Sequence, residues 1–201
     1  MRNKGLNYEV TKRESKRRMD YMSKVLIITT SLRAKSNSDI LAKRAAEGAK
    51  DSGHEVEIIS LKGRTISFCI GCFACQKTQK CVIHDDAIEI AEKVKEADTL
   101  VFATPIYYYE MSGQMKTLLD RLNPLYPSDY KFRNIYMISA AAEDEDYVYE
   151  KAVSGLNGWV DCFEKAEFKG SLFCGGINDM GEAAGKEKEL TEAYEFGRAL
   201  V

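Results

Sequence analysis

Four of the six cysteines crowd into the thirteen-residue segment CIGCFACQKTQKC. They are Cys69, Cys72, Cys75 and Cys81, spaced C-x2-C-x2-C-x5-C. Four thiolates at such short spacing let one loop wrap around a [4Fe–4S] cluster. Zinc fits less well, because tetrahedral zinc sites more often use two separated pairs of ligands. A redox-active thiol among the first three cysteines is a third interpretation, which would need a lowered thiol pKa. The spacing alone leaves these alternatives open, together with a purely structural role.

A second set of polar residues lies in the loop SLRAKSNS, between an apolar run and a helical pattern. The first turn of a helix carries unpaired N–H groups and partial positive charge, so this geometry can bind an anion. The alternative is that the hydroxyls only cap the helix. The loop has neither the Walker nor the Rossmann glycines, and a phosphate held mainly by hydroxyls suggests flavin mononucleotide (FMN). The candidate phosphate ligands are Ser31, Arg33, Ser36, Asn37 and Ser38.

Aromatic and small residues follow two later strands. Three tyrosines at 107–109 stand between an apolar run and a helix, where a ring can stack on an isoalloxazine. Backbone N–H groups of the same loop can bind the polar edge of a flavin ring. For Tyr109 we favour packing instead. Three alanines at 140–142 let a ligand approach the backbone closely. The candidate ring contacts are Pro105, Ile106, Tyr107, Tyr108, Ala141 and Ala142.

Alternating strands and helices must position these residues. Apolar runs predict strands at 24–30, 54–60, 98–104, 134–140 and 168–174, with the third ended by Pro105. Helices are predicted from near Ser38, from 85–86, and over 112–122, 147–166 and 190–200. This pattern predicts an α/β fold, a doubly wound five-stranded parallel sheet in the order 2-1-3-4-5. The three loops then meet at the carboxyl ends of strands one, three and four.

Composition narrows the function classes. The net charge of −2 gives no bulk reason to expect nucleic acid, and no apolar run is long enough to cross a membrane. We see no signal-peptide pattern and expect a cytoplasmic protein. Residues 1–22 carry seven Lys or Arg against three acidic residues, and we expect a poorly ordered extension without a catalytic role. Residues 23–201 are predicted to form a single domain.

The phosphate loop and the segment PIYYYEMSGQMKTLLDR together resemble the NAD(P)H-dependent FMN reductases of the flavodoxin-like superfamily. The resemblance covers residues 24 to about 200, and Asp179–Ala183 also resembles a late segment of that family. Thr30 departs from the pattern, because the family usually has glycine there. In this alignment Lys116, Asp120 and Arg121 follow in register. We expect Lys116 and Arg121 at the surface or an interface, and we expect Asp120 to form an ion pair with Arg121.

The cysteine spacing resembles the compact motif of the iron–sulfur flavoproteins, which share this fold. However, CVIHDD at 81–86 also resembles FMN reductases that carry the same cysteines without an evident need of a cluster. Cys162 and Cys174 read as core residues, the first on a helix and the second at the end of a strand. The metal ligands Cys69, Cys72, Cys75 and Cys81 are therefore expected only under the iron–sulfur alternative.

The resemblance implies an enzyme in which FMN takes a hydride from NAD(P)H and passes electrons to a flavin, quinone or other small acceptor. No side chain need act as acid or base, so no catalytic residue is predicted. The alternative is an iron–sulfur flavoprotein electron carrier with a [4Fe–4S] cluster. The family also implies a homo-oligomer, a dimer or tetramer, in which Trp159 is a candidate contact. Neither nucleic acid nor a membrane is expected as a partner.

Overall fold

A six-stranded sheet forms the centre of the computed structural model, which describes residues 22–201. Five strands run parallel in the order β2-β1-β3-β5-β6, and β4 pairs antiparallel with the end of β3. Without β4 this is the predicted order 2-1-3-4-5, so the doubly wound, flavodoxin-like fold is confirmed. The strands are β1 (Lys24–Thr29), β2 (Glu55–Ser60), β3 (Thr99–Tyr107), β4 (Glu110–Met111), β5 (Asn134–Ala140) and β6 (Glu167–Cys174).

Helices cover both faces of the sheet. Apolar residues of α3, α4 and α5 pack on one face, and those of α1 and α6 pack on the other. The central strands are therefore buried on both sides, which explains why their sequences are continuous apolar runs. The helices are α1 (Asn37–Asp51), α2 (Ala74–Thr78), α3 (Ala87–Glu96), α4 (Gly113–Arg121), α5 (Glu150–Val160) and α6 (Glu187–Arg198), with short 3-10 turns at Asn123–Leu125, Asp146–Val148 and Glu182–Gly185.

The third strand does not end at Pro105, as the sequence suggested, but continues to Tyr107. Its pairing with β1 stops at Ala103, so one side of β3 is already free where proline lacks an N–H donor. Tyr108 and Tyr109 then have φ angles of 52° and 66°, and these two residues link β3 to β4 as a tight hairpin. Left-handed backbone is unusual for tyrosine, so this turn carries strain beside the carboxyl edge of the sheet.

The helix predicted over 147–166 is shorter than expected, because α5 ends at Val160. Cys162 lies beyond that end and is exposed, so its assignment to the core was wrong. Cys174 is buried at the end of β6, as predicted. Trp159 is half-buried and packs against Phe102 and Phe132, and its contact with a second subunit stays a prediction.

The prediction of a poorly ordered basic extension concerns residues 1–22. Residues 1–21 of that extension lie outside the described residues. Within residues 22–201, no helix combines the length and the apolar character needed to cross a membrane.

Candidate functional site

A cavity of about 600 Å³ opens beyond the carboxyl ends of β1, β3 and β5. The sheet order brings three loops together here that are distant in sequence. Every residue predicted to contact the cofactor lines this cavity, and three further residues, Ala140, Ile177 and Asn178, join them. The predicted residues are Ser31, Arg33, Ser36, Asn37, Ser38, Pro105, Ile106, Tyr107, Tyr108, Ala141 and Ala142.

One end of the cavity is built from the first turn of α1. Ser36 occupies the N-cap position, but within the described part of the chain its hydroxyl caps no first-turn N–H group. Instead its Oγ lies 3.0 Å from the Oγ of Ser38. The same residue type at the start of α4 behaves differently, because Ser112 accepts a hydrogen bond from the N–H of Met115 at 3.3 Å. The simple capping interpretation therefore fits Ser112 and not Ser36.

The side chain of Asn37 holds the cavity wall. Its Nδ2 donates to the carbonyl oxygen of Asp179 at 3.0 Å, and its Oδ1 accepts from the N–H of Ala183 at 3.1 Å. Arg33 adds a bond from Nη1 to the carbonyl oxygen of Asn178 at 2.7 Å. The loop after β6 is thereby fixed against the phosphate loop. In the sequence, only the resemblance of Asp179–Ala183 to a late segment of the FMN reductases indicated that this loop belongs to the cavity wall.

The other end of the cavity is formed by the β3–β4 hairpin and the alanines after β5. Tyr107 is 53% exposed and Tyr108 is 97% exposed, so both rings are available to a flat ligand. Ala141 and Ala142 leave the facing wall without bulky side chains. Together they provide a slot with aromatic and backbone groups on one side and small residues on the other.

Tyr109 lies outside this cavity, in agreement with the packing role favoured for it. Its hydroxyl donates to Oε2 of Glu143 at 3.2 Å, and its ring stacks with Tyr147. The hydrogen bond to the carboxylate raises the pKa of Tyr109. Glu143 thus belongs to a tyrosine cluster next to the cavity as well as to the exposed acidic loop.

Thr30 stands where the family usually has glycine, and its side chain points into the sheet. Its side chain is fully buried and donates to the carbonyl oxygen of Ala103 at 3.1 Å. The Thr30 hydroxyl also lies 3.0 Å from that of Ser112, and Ser112 is bonded to Thr104 as well. This buried hydroxyl chain ties β1, β3 and the start of α4 together beneath the cavity.

The four clustered cysteines line a second, smaller cavity between the irregular segment after β2 and the end of α4. Cys75 is buried, Cys81 is half-buried, and Cys69 and Cys72 are exposed. In the described residues, no three His, Cys, Asp or Glu side chains are close enough together to hold a single metal ion. Each thiolate of a [4Fe–4S] cluster binds a different iron, so the four cysteines fit that group as a donor set, while the cavity between them has a volume of about 20 Å³.

Arg121 was predicted to lie at the surface or an interface. The structure instead places it beside this cavity, where it is fully buried. Its Nη1 and Nη2 bind the two carboxylate oxygens of Asp85 at 2.6 and 2.9 Å. Asp120 pairs instead with Lys116 at the surface, at 2.6 Å. Burial alone would raise the pKa of Asp85, but hydrogen bonds from Arg121 and the backbone more than offset this and hold that pKa at about 2.

The family described as NADPH-dependent FMN reductase matches residues 23–146, which is more than half of the chain. An iron–sulfur flavoprotein of Methanocaldococcus jannaschii is 40% identical over 102 residues, which are 51% of this chain and 53% of that protein. A Bacillus subtilis protein named as an NAD(P)H-dependent FMN-containing oxidoreductase is 32% identical over 98 residues, or 49% of this chain and 51% of that protein. The chain spans about half the length of the first curated relatives it matches.

Among solved structures, an NAD(P)H:quinone oxidoreductase from Methanothermobacter marburgensis superposes with a TM-score of 0.71. The superposition covers 89% of this chain and 98% of the oxidoreductase chain, at 19% sequence identity. At that identity the similarity establishes the fold alone, and it agrees with the sheet order and helix layers described above.

Proposed function

Because the chain belongs to the NADPH-dependent FMN reductase family, we propose that it binds FMN in the cavity at the carboxyl edge of the sheet. In this proposal the protein is an oxidoreductase that passes electrons from NAD(P)H through bound FMN to a small acceptor. The cavity volume of about 600 Å³ falls within the range usual for small-molecule and cofactor sites.

The observation that carries this proposal is the uncapped start of α1. The helix has 15 residues, and its first two residues, Asn37 and Ser38, line the cavity together with the N-cap Ser36. Arg33 supplies a positive charge at the same end. Hydroxyls, N–H groups and a guanidinium are all donors, so this end fits a phosphate and is unsuited to a cation.

The opposite end fits a flavin ring. Tyr107 and Tyr108 offer rings for stacking, and the hairpin backbone offers N–H groups to the polar edge of a flavin. Ala141 and Ala142 leave room for the ring to lie close to the β5 loop. When bound, FMN supplies the redox chemistry, since it can take a hydride and pass electrons on. The residues of the chain then bind and orient the cofactor, and none is assigned an acid–base role.

The acceptor class we favour is a quinone, an azo compound or free flavin. This choice is supported by the fold neighbours, which include a quinone oxidoreductase and an azoreductase, and by the family description as FMN reductase. We also expect a homodimer or a tetramer, in which a second subunit completes an open flavin site. Light scattering of the FMN-loaded protein would measure that assembly directly.

Steady-state turnover tests the proposed function. FMN-loaded protein is mixed with NADH or NADPH and with a panel of quinone, azo and flavin acceptors, and nicotinamide oxidation is followed. We expect acceptor-dependent oxidation with at least one nicotinamide. FMN-loaded protein that oxidises neither nicotinamide with any acceptor would refute the reductase activity while leaving FMN binding intact.

A second candidate function is an iron–sulfur flavoprotein electron carrier, in which the four clustered cysteines would hold a [4Fe–4S] cluster that would supply single electrons to the flavin. The convergence of Cys69, Cys72, Cys75 and Cys81 on one cavity favours it, and several curated relatives carry that name. The donor set is the four-thiolate set that such a cluster requires.

Replacing Cys75 by serine separates the two candidates. For the cluster we expect iron and acid-labile sulfide in the wild type and their loss in Cys75→Ser. Cys162→Ser is the matched control, because Cys162 is exposed and lies outside the cysteine loop. An anaerobically prepared wild type without iron, or a Cys75→Ser variant with unchanged iron, would refute this second candidate.

A further inference from the structure

Two side chains at the end of α4 aim N–H groups at cysteine sulfurs. Nδ2 of Asn123 lies 3.3 Å from Sγ of Cys75, and Nη2 of Arg121 lies 3.4 Å from Sγ of Cys81. A thiol sulfur is a weak acceptor, whereas a thiolate carries a negative charge that strengthens such bonds. Both donors are therefore placed where they would gain most if these two cysteines were thiolates.

The guanidinium of Arg121 is held in this orientation from several sides. It donates to the carbonyl oxygens of Ser67 and Ile83 at 2.8 and 3.1 Å, in addition to its two bonds to Asp85. These partners lie on both flanks of the cysteine loop, so the arginine joins the two ends of that loop to α4. Nη2 cannot turn away from Cys81 without breaking the bonds to Ile83 and Asp85.

Asn123 has a simpler environment. It is half-buried at the start of the 3-10 turn that follows α4, next to Cys75, which is buried. Its Nδ2 donates to the Cys75 sulfur at 3.3 Å, and that sulfur belongs to a buried residue. Removal of the amide would therefore take this donor away from a buried sulfur.

We propose that Asn123 and Arg121 are positioning residues whose N–H···S bonds to Cys75 and Cys81 raise the reduction potential of a [4Fe–4S] cluster held by the four cysteines. The inference rests on the second candidate function above. Reduction adds negative charge to the cluster and its sulfurs, and hydrogen bonds to those sulfurs stabilise the reduced form. The exposed Cys69 and Cys72 leave the opposite side of the loop to solvent.

The test measures the midpoint potential of the cluster in the FMN-loaded, anaerobically prepared protein. Asn123→Ala removes the donor, and Asn123→Asp replaces it at constant size by a group that only accepts. In Asn123→Ala we expect the equilibrium constant for reduction to fall about tenfold, a shift of about 59 mV to more negative potential for one electron. Asn123→Asp should shift further in the same direction. Asn157→Ala, an exposed asparagine on α5, is the matched control and should leave the potential unchanged.

Iron, sulfide and FMN are counted in each variant before the titration. Equal iron with a shifted potential supports the inference, because a purely structural role would change iron content and not the potential of the clusters that form. Equal iron with an unshifted potential in both Asn123 variants would overturn it while the cluster itself stands. A wild type that binds no iron would refute the cluster and the inference with it, and FMN binding would be unaffected.

Discussion

Arg121 and Asp85 form a two-pronged ion pair in which both side chains are almost completely withdrawn from solvent, at 0% and 5% exposure. The pair joins the end of α4 to the segment that leads from the cysteine loop into α3. Because Asp85 also accepts backbone N–H bonds from Ser67 and Ala87, its carboxylate organises both ends of that loop. The cysteine loop is thus anchored by one buried charge pair.

Breaking this pair should destabilise the fold. Asp85→Asn leaves the Arg121 charge buried without its counter-charge, and we expect the free energy of unfolding to fall by about 3–5 kcal/mol. Urea denaturation of both proteins measures the loss. Asp120→Asn is the control, since its partner Lys116 is exposed and such surface pairs are worth about 0–1 kcal/mol. Equal losses in the two variants would argue against the structural role of the buried pair.

The same carboxylate predicts a pH dependence. The pKa of Asp85 is lowered from 3.8 to about 2 in the folded protein. The unfolded chain therefore binds the proton more readily, and the stability due to Asp85 is complete above about pH 4 and is lost as the pH falls through about 2. Its size is about 2 kcal/mol at neutral pH. In urea titrations between these pH values, the gap between wild type and Asp85→Asn should narrow. Parallel curves would contradict the assignment.

Arg33 should act on the phosphate of FMN and on nothing else in that ligand. Arg33→Ala should weaken FMN binding by roughly 1.5–3 kcal/mol, the usual contribution of a hydrogen bond to a charged group. Riboflavin lacks the phosphate, so its affinity should be the same in both proteins. Ser36→Ala should give a smaller loss with the same ligand dependence. Fluorescence titration provides both affinities.

Arg44→Ala is the matched control for Arg33, because Arg44 lies on α1, the helix that follows the Arg33 loop, and pairs with Glu47 away from the cavity. It should bind FMN like the wild type. If Arg33→Ala weakens FMN and riboflavin equally, the phosphate is not held at the start of α1.

Asn37 should matter to the fold more than to the ligand. Its side-chain amide is already bonded to Asp179 and Ala183, so Asn37→Ala removes the clamp on the loop after β6. We expect the free energy of unfolding to fall by about 1–3 kcal/mol. Limited proteolysis should cut between residues 177 and 186 sooner than in the wild type. Unchanged stability and unchanged cleavage would show that the clamp is dispensable.

The cavity was largely predictable because it depends on topology. In a parallel sheet the carboxyl ends of neighbouring strands share one edge, so polar or small residues after strands one, three and four had to meet. The loop contributing Ile177 and Asn178 was not assigned to the cavity, because it follows the edge strand and is held there by long-range bonds from Asn37, from Arg33 and to the backbone of Ala141.

The environment of Arg121 was not predictable in the same way. Arg121 was expected at the surface or an interface, whereas its partner Asp85 lies 36 residues away beyond an irregular segment. Local pattern does not determine how such a segment folds back. Cys162 was misplaced for a related reason, since α5 ends two residues before it and an apolar pattern rarely fixes a helix end.

The most direct test of the central claim is the flavin content of anaerobically purified protein, measured by absorption, with iron and acid-labile sulfide counted in the same sample. The proposal predicts flavin absorption bands from FMN in equimolar amount with the chain. A broad absorption beneath those bands, with about four irons per FMN, would add the cluster. Protein that retains no flavin, even after incubation with excess FMN, would contradict the assignment of the cavity.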